Sequence, residues 1–263
     1  MAPHPARDLT GITLAMLGLV RFGESMPPSD IGPLVGPAVD PARLGRPFAN
    51  RAASRWVGSG WVLWRSGVRG MPIGLNGSIL GDSQAGARIS YAIDPARRIA
   101  MVGRFSTPLS APGRELALGI EWRPGEWPVR LVAEHRIPLD GGHGGPTLGM
   151  IGGVGAVPLI HNFRLESYGQ AGVILRDGGV GFADGALRIN RRVAHVGGID
   201  MSIGGGLWGG IQPDAARLDV GPSLGLSLPV RSHSLRLSLD WRERVAGNAM
   251  PRSGPALTLG ADF

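Results

Sequence analysis

Residues 215–263 read AARLDVGPSLGLSLPVRSHSLRLSLDWRERVAGNAMPRSGPALTLGADF. From Leu218 to Leu228 the even positions are Leu218, Val220, Pro222, Leu224, Leu226 and Leu228. Between them stand Asp219, Gly221, Ser223, Gly225 and Ser227. Past a short turn at Arg231 and Ser232, Leu235, Leu237, Leu239 and Trp241 share one face, and Arg236, Ser238, Asp240 and Arg242 the other. The chain ends on Leu257, Leu259, Ala261 and Phe263, again every second residue. Period two sends successive side chains to opposite faces of an extended chain, so each segment predicts a strand with two unlike faces. Three of them, joined by short connections, predict an antiparallel meander.

Alternation does not say which face meets water. A soluble barrel or sandwich turns its apolar face inward, whereas a membrane barrel turns it toward lipid. The length of the segments, near the ~9–11 residues that cross a bilayer at a tilt, favours the membrane. So does a second face rich in Gly, Ser and Arg, as a lumen would be. The expected fold is all-β, an antiparallel transmembrane β-barrel of about twelve strands. They are expected at 55–65, 82–94, 97–107, 114–124, 127–138, 145–156, 162–176, 179–191, 194–209, 214–229, 232–246 and 254–263. An even strand number places both termini at one end, with the longer connections at the other.

The front of the chain differs. Residues 1–22 carry a single apolar run, Leu9–Val20, which is too short to span a membrane as a helix and matches the core of an export signal. Asp8 offsets Arg7 before it, and no clean small-x-small cleavage site follows. The run is therefore either a weak signal or the product of a wrong start. Residues 23–54 are Pro-rich and read as a periplasmic linker, and residues 55–263 as the barrel. The chain has no Cys, which excludes disulfides and thiolate metal sites. Its net charge of +7 comes from Arg without a single Lys. That charge fits an anion-attracting surface or lumen, and equally a GC-rich coding bias.

Parity sorts the side chains. One face collects Ile89, Met101, Phe105, Leu118, Ile120, Leu131, Ile137, Leu165, Leu187 and Ile189. The other collects Arg88, Arg104, Arg130, Arg136, Arg164, Arg188, Arg217, Arg236 and Arg242, with Glu115, Glu121, Glu134, Glu166, Asp219 and Asp240. These fifteen are the expected lumen-lining residues. Acids and arginines on one face pair across strands. They then either stiffen a narrow lumen or line a path for an anionic or polyhydroxylated substrate. In a soluble sandwich the same residues would form a solvated outer face.

The seven tryptophans, Trp56, Trp61, Trp64, Trp122, Trp127, Trp208 and Trp241, are candidates for interfacial girdles, although Trp208 falls on the polar face. His135, His143, His161, His195 and His233 are scattered, with no local Ser/His/acid spacing, so no catalytic activity is expected. Gly152–Gly155 and Gly204–Gly206 lie inside strands with no following helix, which excludes phosphate loops. The Arg face lacks stacking aromatics at a useful spacing, so no nucleic-acid partner is expected. No cofactor or metal is expected either.

The terminal Phe263, preceded by apolar residues at every second position, resembles the closing strand of Gram-negative outer-membrane β-barrels. That resemblance implies an outer-membrane location, lipid and lipopolysaccharide as surroundings, and Phe263 as the assembly signal read by the barrel-assembly machinery. The segments LGDSQAGARISYAI, FRLESYGQAGVILRD, LWGGIQPDAARLDVGPSLGLSLP and LDWRERVAGNAMPRSGPALTLGADF also resemble C-terminal barrel regions from sphingomonad-type bacteria. Those regions are similar in plan to the bacteriophage-adsorption protein A family and, more remotely, to cellulose-export porins. The resemblance implies exopolysaccharide export or surface reception, with an anionic or neutral polysaccharide as partner. A passive anion-preferring porin, a barrel enzyme and a soluble β-sandwich binding protein stand as alternatives.

Overall fold

The computed structural model describes residues 55–66, 81–94, 98–110, 112–125, 127–176, 178–230 and 233–262. The expected leader, the Pro-rich linker, the connection 67–80 and Phe263 lie outside the described residues.

Twelve strands follow one another: β1 (Trp56–Arg65), β2 (Gln84–Asp94), β3 (Ile99–Pro108), β4 (Glu115–Trp122), β5 (Val129–Pro138) and β6 (Gly145–Pro158), then β7 (Phe163–Ile174), β8 (Val180–Val196), β9 (Ile199–Gln212), β10 (Ala215–Val230), β11 (His233–Gly247) and β12 (Gly254–Asp262). Each pairs antiparallel with its neighbours in sequence. β1 then pairs with β12, from Ser59 opposite Asp262 to Arg65 opposite Ala256, and closes the sheet. The fold is a closed antiparallel barrel of twelve strands. β1 begins and β12 ends at the same end of it, called here the termini end; the opposite end is the loop end.

The faces are inverted relative to a soluble barrel. Met101, Leu118 and Leu148 point outward and are 56%, 52% and 56% exposed, while Arg104 and Arg136 point inward at 3% and 2%. Along β9 the outward positions run Met201, Ile203, Gly205, Leu207, Gly209 and Ile211. At ~3.4 Å per residue and a tilt near 40°, that run covers ~25 Å of height, the thickness of a lipid-facing belt. An apolar exterior of this extent around a charged interior is built to meet lipid. Trp56, Trp64, Trp122, Trp127 and Trp241 stand exposed on this outer side. Trp61 and Trp208 do not join them; both are buried inside, because their parity matches that of the inward arginines.

One hairpin departs from the sequence expectation. The connection expected between the strands at 179–191 and 194–209 lies instead at Gly197 and Gly198, so β8 is longer than expected. A bulge between Arg192 and Ala194 interrupts the alternation there and mimics a strand end. The true turn uses φ values of 59° and 86° at its two central residues, which glycine adopts at no steric cost.

A carboxylate ties two loop-end connections together. Asp140 accepts hydrogen bonds from the Gly113 and Arg114 backbone amides, each at 2.8 Å, and from the Arg114 guanidinium. The Arg114 side chain first, then these two amides, hold the Asp140 carboxyl well below the usual carboxylate range. The folded value is depressed, so the clamp is at full strength above the unfolded value of about 3.9. It is lost only as pH falls through the lower folded value. The Gly113 and Arg114 amide resonances should therefore keep their positions as pH drops past ~4 and move well below it. A midpoint at the ordinary Asp value would show that no clamp exists in solution.

Candidate functional site: a charged lumen

Inward parity brings the arginines and acids into two lattices. The first belongs to β2–β5. Arg88 bonds to Glu121, which also faces Arg130 at 3.6 Å. Arg104 reaches Glu134 at 2.7 Å and Glu115 at 3.5 Å, while Arg136 lies 3.3 Å from Glu134 and 3.9 Å from Glu115. Arg88 and Arg104 are direct cross-strand partners, an unfavourable pair of like charges in isolation. Each is bonded to a different acid, which turns the repulsion into an alternating array. Ala117 sits in register between Arg104 and Arg136, and its small side chain leaves room for both guanidiniums. The space left within this lattice is a cavity of about 20 Å³, room for about one water.

The second lattice joins β1, β8, β10 and β11. Asp219 binds Arg65 at 3.1 Å and Arg217 at 2.8 Å. Asp240 binds Arg188 at 2.9 Å and Arg242 at 3.4 Å, and accepts a hydrogen bond from the Ser223 hydroxyl at 2.7 Å. These carboxylates are 1% and 0% exposed. The Arg188 and Arg242 guanidiniums also lie over the Trp208 ring, at 5.5 and 4.6 Å from its centre. The electron-rich ring face adds a favourable contact to each cation. The Trp208 indole lies flat against Gly206, where a Cβ would occupy the ring's place.

These bonds are chords across the barrel. Arg188 to Asp240 skips β9 and β10, and Arg65 to Asp219 skips β12 and β11. Arg136 lies over the Phe182 ring of β8, where Phe182 packs with Ile174 and Val180. Trp61, Leu63 and Ala256 form a further buried group under the β1–β12 seam. Charge pairs and apolar side chains thus fill the loop half and the middle of the interior. The amides of Gln84 and Gln212, also buried there, have no hydrogen-bond partner among the described residues, which suits a closed but hydrated interior.

Toward the termini end the interior opens. Arg130 and Arg236 are partly accessible, and Arg236 faces Glu166 at 3.7 Å. Arg164 is exposed at the mouth with Arg192, which pairs with Asp200 at 3.1 Å beside His195. Ser202, Gly204, Gly225 and Ser227 share this inward parity.

Of the fifteen residues expected from the sequence, Arg88, Arg104, Arg130, Arg136, Arg188, Arg217, Arg236 and Arg242 all join ion pairs with Glu115, Glu121, Glu134, Glu166, Asp219 or Asp240. Arg164 stays outside both lattices. The sequence reading missed Arg65, an integral member of the second lattice, and also the half-buried pair in which the Tyr168 hydroxyl donates to Asp184 at 2.6 Å. Counting by twos forward from Glu166 and back from Arg188 reaches Tyr168 and Asp184. Nothing comparable marks Arg65, because β1 is apolar on both faces. Among the described side chains the histidines do not converge on one site: His135 faces outward on β5, His143 lies in a loop-end connection, and His161 and His195 lie at the termini end.

No protein-family model matches this chain, and no curated protein matches it. Among solved structures it is similar to the β domain of the Bordetella autotransporter Brka, at 13% identity and a TM-score of 0.43, over 80% of this chain and 99% of that one. It is similar to an outer-membrane channel from Pseudomonas putida F1 at 14% identity and a TM-score of 0.43, over 86% and 99%. A bacterial polysaccharide outer-membrane secretin follows at 11% identity and a TM-score of 0.40, over 79% and 97%. Likeness at this level carries no functional assignment.

Proposed function

We propose that this chain is an outer-membrane β-barrel, closed at rest, that serves exopolysaccharide export or surface reception. In this reading the termini end faces the periplasm and the loop end faces outward. The observation that carries the closed state is the pair of lattices, one lining β2–β5 and the other bonding both signs of charge across the interior. A passive anion-preferring porin needs unneutralised arginines around an open path, whereas eight of the nine expected lumen arginines here have acidic partners. A polysaccharide suits the lining: carboxylates, guanidiniums and hydroxyls hydrogen-bond sugar hydroxyls. Its passage requires the chords to part. The accessible cup around Arg130, Arg164 and Arg236 is the side from which a chain would enter.

The test begins with outer-membrane fractions, where the folded protein should run as a band that shifts on boiling. Its absence from that fraction would remove the location. Protein taken from that band into planar bilayers is expected to show no steps of porin size. Porin-sized conductance that is insensitive to Arg130→Ala and Arg236→Ala would overturn the closed barrel and favour the porin.

A further inference from the structure

The outer wall carries one feature that the lumen does not explain. Phe163, Arg191, Ile203, Leu224, Leu239 and Leu257 are successive cross-strand partners from β7 to β12. All six share the outward parity, and Arg191 is the charged member of the row. Because strands tilt in a barrel, such a row climbs from the rim into the apolar belt. Beside it, Ile189, Gly205 and Pro222 are partners in a second row. Gly205 has no side chain and Pro222 a flat one, so the wall is hollowed there. The hollow, about 920 Å³, is bordered by Arg191, Ile203, Leu224, Leu239 and Trp241.

We propose that this hollow binds one phosphate-bearing glycerolipid of the leaflet at the termini end. Arg191 takes the phosphate, and an acyl chain lies over Gly205 and Pro222. Three observations fix the occupant. First, Arg191 is exposed, and Asp240, the acidic residue among those bordering the hollow, turns its carboxylate inward to Arg188, Arg242 and Ser223 rather than toward Arg191. An unneutralised guanidinium on a lipid-facing wall calls for an anion that the membrane itself supplies. Second, Arg191 stands near the termini-end edge of the belt, opposite Ile203 and one outward position in from Met201, from where its long side chain reaches the headgroups. Ten residues separate it on β8 from Gly181 at the other edge of the belt, a rise of ~25 Å at the usual tilt. Third, the apolar part of the row from Ile203 to Leu257 crosses three strand spacings. At ~4.8 Å each, that gives ~14 Å of continuous apolar wall leading away from the cation. A phosphate at one end and a hydrocarbon tail along the rest match a glycerophospholipid. A free phosphate would leave the hollow unfilled.

The inference rests on the barrel spanning a membrane and is independent of what the lumen does. Full-length barrel in detergent micelles, titrated with phosphatidylglycerol and read by native mass spectrometry, tests it. Wild type should retain one lipid per barrel, and Arg191→Gln should weaken that first binding step about tenfold. Arg191→Lys should recover part of the loss. Gly205→Leu, which fills the hollow and leaves the charge, should weaken binding comparably. Diacylglycerol, with the same tails and no phosphate, should not distinguish wild type from Arg191→Gln. Equal retention of phosphatidylglycerol by wild type, Arg191→Gln and Gly205→Leu would overturn the site. So would equal binding of diacylglycerol and phosphatidylglycerol to wild type. Wild-type protein that stays dispersed without detergent would instead overturn the membrane reading itself.

Discussion

Asp240→Ala is expected to destabilise the barrel by about 3–5 kcal/mol, the usual result of removing one partner from a buried charge cluster. Arg188 and Arg242 both lose their carboxylate in one step, and the Ser223 hydroxyl loses its acceptor. With the acid at 0% exposure, water cannot take its place without opening the interior. The Trp208 ring remains beneath both cations, but a ring face compensates only part of a missing full charge. The urea midpoint for loss of the folded, unboiled band measures the effect. Asp200→Asn is the control, because the Arg192–Asp200 pair has side chains 44% and 39% exposed. Exposed pairs contribute ~0–1 kcal/mol. Equal midpoints for the two variants would show that the second lattice carries no more weight than a surface pair.

Gly206→Leu is expected to cost about 1–3 kcal/mol, and more if the strand cannot shift. The Trp208 ring occupies the space into which the new Cβ would project. The indole must therefore leave the wall, and with it goes the platform beneath Arg188 and Arg242. In planar bilayers this variant should gain ion leak that wild type lacks, because the displaced ring is part of what fills the interior. Gly181→Leu provides the contrast: it lies on the outer face, with open space where its Cβ would stand. That substitution should leave both the urea midpoint and the conductance unchanged. A Gly206→Leu barrel as tight and stable as wild type would mean that Trp208 is not a structural part of the closure.

The strands were legible in the sequence because a two-faced wall forces alternation, and the inward arginines were legible by parity alone. What parity cannot supply is which charge meets which. Arg188 and Asp240 are 52 positions apart and three strands distant. Their meeting depends on closure and tilt, which no local pattern encodes. Alternation also falls silent where both faces are apolar. Along β1, Trp61 and Leu63 face inward as Val62 and Trp64 face out, so Arg65 reads as the end of a uniform run. The β8–β9 turn was obscured by a related effect. The bulge at Val193 reverses parity before the chain turns, and only the Gly197–Gly198 pair marks the true reversal.

The two lattices also differ in when they can form. Arg104 and Glu134 are 30 residues apart, so the first array is complete once two adjacent hairpins have met. Arg65 and Asp219 are separated by 154 residues and brought together only by the strands that intervene at the seam. During folding, the cation of the first strand therefore waits for an acid of the tenth. Loop-closure entropy makes such distant contacts late. The seam thus joins backbone edges and neutralises a stranded charge in the same event, so a chain halted before its last strand carries Arg65 into the membrane without its counter-ion.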